Sequence, residues 1–157
     1  MDAKDIIASL QLLPHPEGGW YREVYRSTDR VKRGYESRSA TTAIYYLLEQ
    51  QQLSRWHVVD ADEIWHFYAG APLELLAYDP SSRQLTRHVL DAPGNGTGAI
   101  GVIPSGVWQA ARSLGKYSLA GCTVSPGFEF SGFHFVDALA GHHEHFVGEL
   151  AEFAALL

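Results

Sequence analysis

From Trp20 to Phe135 the chain is a succession of short runs rich in Val, Ile, Thr and aromatic residues, broken by turn signals such as Asp79-Pro80-Ser81-Ser82, Pro93-Gly94-Asn95-Gly96 and Pro104-Ser105-Gly106. No long helical period interrupts this series. Many short strands must therefore bury their apolar faces against one another, which implies a sandwich or closed barrel and disfavours a parallel α/β sheet. The runs predict strands over 40–48, 53–59, 63–69, 73–78, 85–90, 99–103, 107–112 and 117–124.

The two ends read differently. Ile6, Ile7, Leu10 and Leu13 recur at three- and four-residue steps after a capping Asp2, and Pro14 follows, so a helix is predicted over about 2–13. Phe146, Leu150, Phe153 and Leu157 repeat at helical steps, predicting a C-terminal helix over about 142–157. Between them, about 20–137 forms the β domain. A chain of 157 residues fits a single domain over 1–157.

Twelve basic and 18 acidic side chains give a formal net charge of -6, which repels phosphate backbones and anionic lipid; neither nucleic acid nor a membrane is an expected partner. The start, Met1-Asp2-Ala3-Lys4-Asp5, lacks the basic-then-apolar order of a secretory signal, so the expected compartment is the cytoplasm. The lone Cys122 sits in an alternating, strand-like run and is read as a small packed hydrophobe.

Two segments carry the most chemistry. His57-Val58-Val59-Asp60-Ala61-Asp62-Glu63, continuing to Gly70, places an imidazole and a carboxylate on runs joined by a tight turn, where both can project into one interior. By two-residue alternation Trp65 and Phe67 share the face of Glu63, giving that interior an apolar wall. The second segment runs from Gly98 through Pro104-Ser105-Gly106 to Gln109.

Together these segments resemble the paired motifs of the cupin superfamily. The resemblance sharpens with Pro14-His15-Pro16-Glu17-Gly18-Gly19, Asp62-Glu63-Ile64-Trp65-His66-Phe67-Tyr68 and Ser125-Pro126-Gly127-Phe128, which are similar to an uncharacterised small-cupin family. It implies an all-β fold, the RmlC-like double-stranded β-helix or cupin jelly-roll barrel, with an N-terminal and a short C-terminal helix, and it implies a homodimer. Metal-binding cupins present further histidines where Val59 and Gln109 stand here. The resemblance thus leaves His57, Glu63 and Gln109 as a thin ligand set for a divalent metal, beside a hydrogen-bonded cluster that orients an organic ligand.

The expected pocket comprises Arg22, Arg55, His57, Glu63, Trp65, Phe67 and Gln109, with the two arginines gripping an anionic group if their strand parity turns them inward. The expected function is binding of a small polar or anionic metabolite, sugar- or nucleotide-like. The alternatives are a metal-dependent cupin enzyme using His57 and Glu63, or an RmlC-like sugar isomerase or epimerase. In the latter His57 is the catalytic base, Asp60 or Glu63 holds its tautomer, and Tyr21, Tyr25, Tyr45 or Tyr68 is the acid. His142, His143 and His145 are read as surface residues, because neighbours at a helix start diverge. His66 is expected to face away from Glu63, and His15 either covers the pocket mouth or serves only its turn.

Overall fold

The computed structural model describes residues 2–157. Its elements are α1 (Ala3–Leu10), β1 (Leu13–Pro14), β2 (Trp20–Arg26), β3 (Arg30–Arg33), β4 (Glu36–Ser39), β5 (Thr42–Glu49) and β6 (Leu53–Val59). There follow β7 (Asp62–Gly70), β8 (Leu73–Asp79), β9 (Gln84–Leu90), β10 (Ile100–Ile103), β11 (Trp108–Ser113), β12 (Tyr117–Ser125), β13 (Phe133–Phe135) and α2 (His143–Phe146). Asp2 and Asp5 form a reciprocal capping box on α1, satisfying two orphan N–H groups, and the helix ends at Gln11 in a left-handed conformation.

Six strands form one sheet in the order β1-β2-β5-β12-β7-β10, and five form a second in the order β13-β6-β11-β8-β9. The pairings within both are antiparallel, so the fold is the all-β jelly roll expected. Side chains facing inward from both sheets interdigitate: Tyr46, Leu48, Trp65, Leu75, Ile103 and Cys122 are almost wholly buried between them. The run Leu73-Glu74-Leu75-Leu76-Ala77-Tyr78 is buried throughout because β8 is covered on both faces. On its outer side, Leu76 and Tyr78 meet Trp56, Trp108, Phe146 and Leu150.

The C-terminal segment supplies that cover in two helical pieces, the single turn of α2 and a 3-10 stretch over Ala151–Leu156, in place of one continuous helix. Trp56 Nε1 donates to the Phe153 carbonyl at 3.0 Å and ties this segment to β6. His145 is not a surface residue: it is buried, its Nδ1 lies 2.7 Å from the Tyr78 hydroxyl, and its ring meets Trp108 edge-on. His143 is exposed and His142 half-buried. Among the described residues no helix is long and apolar enough to cross a membrane.

Candidate functional site

One end of the barrel opens into a hollow of about 130 Å³ whose walls include His15, Glu17, His57 and Glu63. The ends of four strands bring these walls together: Tyr21 and Glu23 from β2, Thr42 and Ile44 from β5, His57 and Val59 from β6, and Cys122 and Val124 from β12. Glu63 enters from the start of β7, while Phe128, Phe130 and Phe133 close one side.

His57 is buried, and its Nδ1 lies 2.7 Å from the Arg55 carbonyl. A carbonyl only accepts, so Nδ1 carries the proton and Nε2 faces Glu17 Oε2 at 3.2 Å. Burial pushes the imidazole pKa down, against the opposing charge of Glu63 and the Arg55 carbonyl. Burial likewise raises the Glu17 carboxyl, although His15, Tyr46 and Ser54 pull it back. Burial thus disfavours the charged form of each group. Phe133 stacks on the imidazole at 5.0 Å and fixes its plane.

Glu63 is held from behind. Gln109 Nε2 donates to Glu63 Oε2 at 2.7 Å, and Trp65 Nε1 donates to Gln109 Oε1 at 2.9 Å. Burial pushes the Glu63 carboxyl up to about 7; His57 opposes the rise, Glu17 adds to it, and hydrogen bonds from Gln109 and the Cys122 thiol oppose it. Burial, with Glu63 beside it, keeps the Cys122 thiol well above its ordinary pKa, consistent with a packed hydrophobe.

Several expected wall residues lie elsewhere. Arg22 pairs with Tyr45 on the outer face of its sheet, is exposed, and donates to the Leu10 carbonyl; the alternate residues Tyr21 and Glu23 face inward. A register shift between Glu23 and Tyr25 then changes the phase of β2 and brings Arg26 to the mouth. Arg55 was expected to share the face of His57, but the pairing of β11 with β6 steps from Gln109↔His57 to Ala111↔Ser54, and this bulge breaks the parity. Its guanidinium lies outside, on Asp137 at 2.9 Å and over the Phe135 ring. Trp65 and Phe67 belong to the core below the hollow, and Gln109 supports Glu63 from behind without lining the hollow.

Asp60 does not hold the His57 tautomer. Both its oxygens are taken by Arg38, at 2.7 and 2.8 Å, and the Arg55 carbonyl does that work. Of the four candidate tyrosines, Tyr21 lines the hollow. His66 is half-buried and pairs with Ile100 on the side away from Glu63.

Sequence reasoning missed Glu17 as a site residue. It lies in the Pro14–Gly19 turn, is 6% exposed, and accepts from Ser54 Oγ at 3.0 Å. The available signal was a charged residue inside a turn stiffened by prolines, which marks placement more than solubility. His15 lines the hollow as one expectation had it: its Nδ1 accepts from the Glu17 N–H at 3.1 Å, and its ring meets Tyr21 edge-on.

The donor set does not fit the metal centre considered from sequence. The side-chain oxygen of Gln109 is occupied by Trp65, Glu63 is bound to Gln109, and His57 Nε2 faces Glu17. Among the described residues no group of three or more His, Cys, Asp or Glu is placed to hold one ion.

The family profile described as Cupin superfamily (DUF985) matches residues 4–136. The chain belongs to this family. Among solved structures, a protein of Shewanella oneidensis is 33% identical, with 94% of each chain covered and a TM-score of 0.82. A hypothetical protein from Leishmania major is also 33% identical, covering 85% of this chain and 86% of its own, with a TM-score of 0.78. Oxalate decarboxylase from Bacillus subtilis, 14% identical over 89% of this cupin and 33% of its own chain, shares the fold at a TM-score of 0.59. No curated protein matches the chain.

Proposed function

We propose that this cupin binds, in the hollow beside His57 and Glu63, a small molecule about one ring in size that presents hydrogen-bond donors and carries no negative charge. The observation that carries this reading is the wall itself. Four carboxyl side chains, Glu17, Glu23, Glu63 and Glu129, line it against one guanidinium, that of Arg26. Arg26 is already committed to Glu23 at 2.9 Å and Glu129 at 3.1 Å. An anion finds no free cation there, and Arg22 and Arg55, on which an anionic ligand depended, face elsewhere. The volume is close to that of a cavity that takes a single benzene ring, roughly 150 Å³, which leaves no room for a nucleotide.

Thermal unfolding with millimolar cyclohexanol, cyclohexylamine, myo-inositol, glucose 6-phosphate and AMP tests the reading. Tm is expected to rise with at least one of the three compounds lacking phosphate and with neither phosphorylated one. Stabilisation by the phosphorylated compounds alone, or by none of the five, removes it.

A second reading, proton transfer on the bound molecule as in an isomerase, is favoured by Glu63, since a carboxyl near 7 both accepts and donates at neutral pH. Tyr21 is the candidate acid. Loss of deuterium uptake from solvent into a bound carbonyl compound on Glu63→Gln, with binding retained, distinguishes catalysis from binding alone.

We further propose that two copies pair through the outer face of the six-stranded sheet. Tyr68, Ile100 and Val102 are more than half exposed there, beside Ile64 and His66, their register partners or neighbours. In a chain of net charge -6 this uncharged patch is where a second copy meets least repulsion. Sedimentation equilibrium at micromolar concentration is expected to show a dimer that Ile100→Arg converts to monomer; a monomeric parent protein refutes the pairing.

A further inference from the structure

Buried carboxyl groups are ordinarily matched by a cation within the fold. Elsewhere this chain follows that rule, since the fully buried Glu74 lies between Arg87 and Arg112. The hollow breaks it. Glu17 is 6% and Glu63 7% exposed, yet neither touches a lysine or arginine. Glu17 meets Ser54, Tyr46 and the imidazoles of His15 and His57, while Glu63 meets the Gln109 amide and the Cys122 thiol, and none of these carries a fixed positive charge.

Independently, the wall beside these carboxyls is aromatic. Phe128 meets Phe130 edge-on at 5.0 Å and Phe133 at 6.2 Å, and Tyr21, edge-on to His15, lines the same hollow. Aromatic side chains around a polar floor favour a desolvated organic cation, through attraction to the ring quadrupole and contact with its carbon skeleton.

We infer that the occupant is an organic amine about one ring in size, whose ammonium supplies to Glu17 and Glu63 the positive charge that the fold omits. The inference rests on the binding role proposed above and narrows its ligand class. An ammonium has three donors and no acceptor, matching a floor of carboxyl oxygens. A bare metal ion is the competing cation, and it lacks the carbon skeleton that the aromatic wall would cover.

Cyclohexylamine and cyclohexanol differ in charge while sharing their ring, so their affinities, measured by calorimetry at pH 7.5, isolate the ammonium. The amine is expected to bind at least about tenfold tighter, the usual worth of a charge-assisted hydrogen bond. Glu63→Gln and Glu17→Gln are each expected to reduce that ratio toward one, whatever either does to the binding of the shared ring. Each variant is to be checked for an intact cooperative melt, and if one fails to fold the other carries the comparison.

Equal or weaker binding of the amine, while cyclohexanol or myo-inositol binds, overturns the amine and leaves the binding role standing. Stabilisation by Zn²⁺ or Mn²⁺ that displaces the amine overturns it in favour of a metal. Binding of none of the five compounds named earlier removes the binding role, and the amine with it.

Discussion

Gly18→Ala is expected to destabilise the protein by about 4 kcal/mol, measured by urea unfolding, and to abolish any ligand-induced rise in Tm. Gly18 has φ +108, and a methyl group built on it lies 2.0 Å from the Leu53 carbonyl oxygen. Backbone on both sides makes relief expensive: the Gly18 N–H donates to the His15 carbonyl at 3.0 Å, and the Gly18 carbonyl accepts from the Tyr46 hydroxyl at 2.5 Å. Moving the turn away from β6 withdraws Glu17 from Ser54 and His57, so fold and site fail together. Gly106→Ala is the control, because φ there is +82 but nothing lies within 4 Å of the added methyl. Its expected cost is the left-handed backbone term alone, about 1–2 kcal/mol. Equal costs for the two variants refute the close-approach explanation.

That contrast also shows what was legible in the sequence. Strand positions from β5 to β12 were readable to within two residues, because apolar alternation and turn residues there report burial directly. The β3–β4 hairpin was not, since Arg30–Arg33 and Glu36–Ser39 carry few apolar side chains and pair with each other outside the main sheets. Parity worked for His57 and Glu63, which do share one hollow. It failed for Arg55, because one bulge in β6 shifts every later side chain by a face and leaves no residue-type signature. Glu17 was invisible for another reason. A turn's outward or inward course depends on what it packs against, and the partners of this one, Leu53 to His57, are distant in sequence.

Glu63→Gln is expected to make the protein more stable at pH 8, by up to about 3 kcal/mol, while it weakens binding of an amine. The Glu63 carboxyl is held at about 7 in the folded chain against an ordinary 4.5, chiefly by burial. Below pH 4.5 both folded and unfolded chains carry its proton and the group exerts no penalty. Between 4.5 and 7 the unfolded chain releases that proton first, so stability falls as pH rises, and above 7 the whole cost of a buried charge is present. Glu17, also raised by burial, acts in the same direction. His15 and His57, lowered by burial, act oppositely: their contribution is lost as pH falls through 6.5 and below. A glutamine at position 63 still accepts from Gln109 Nε2 and carries no charge, so the alkaline loss belonging to this group disappears while the acid-side loss remains. Urea unfolding from pH 4 to pH 8 should therefore give curves that meet near pH 4 and diverge through 7. Parallel curves, or a variant no more stable than its parent at pH 8, mean that Glu63 ionises freely, and the hollow then has no uncompensated charge for a ligand to answer.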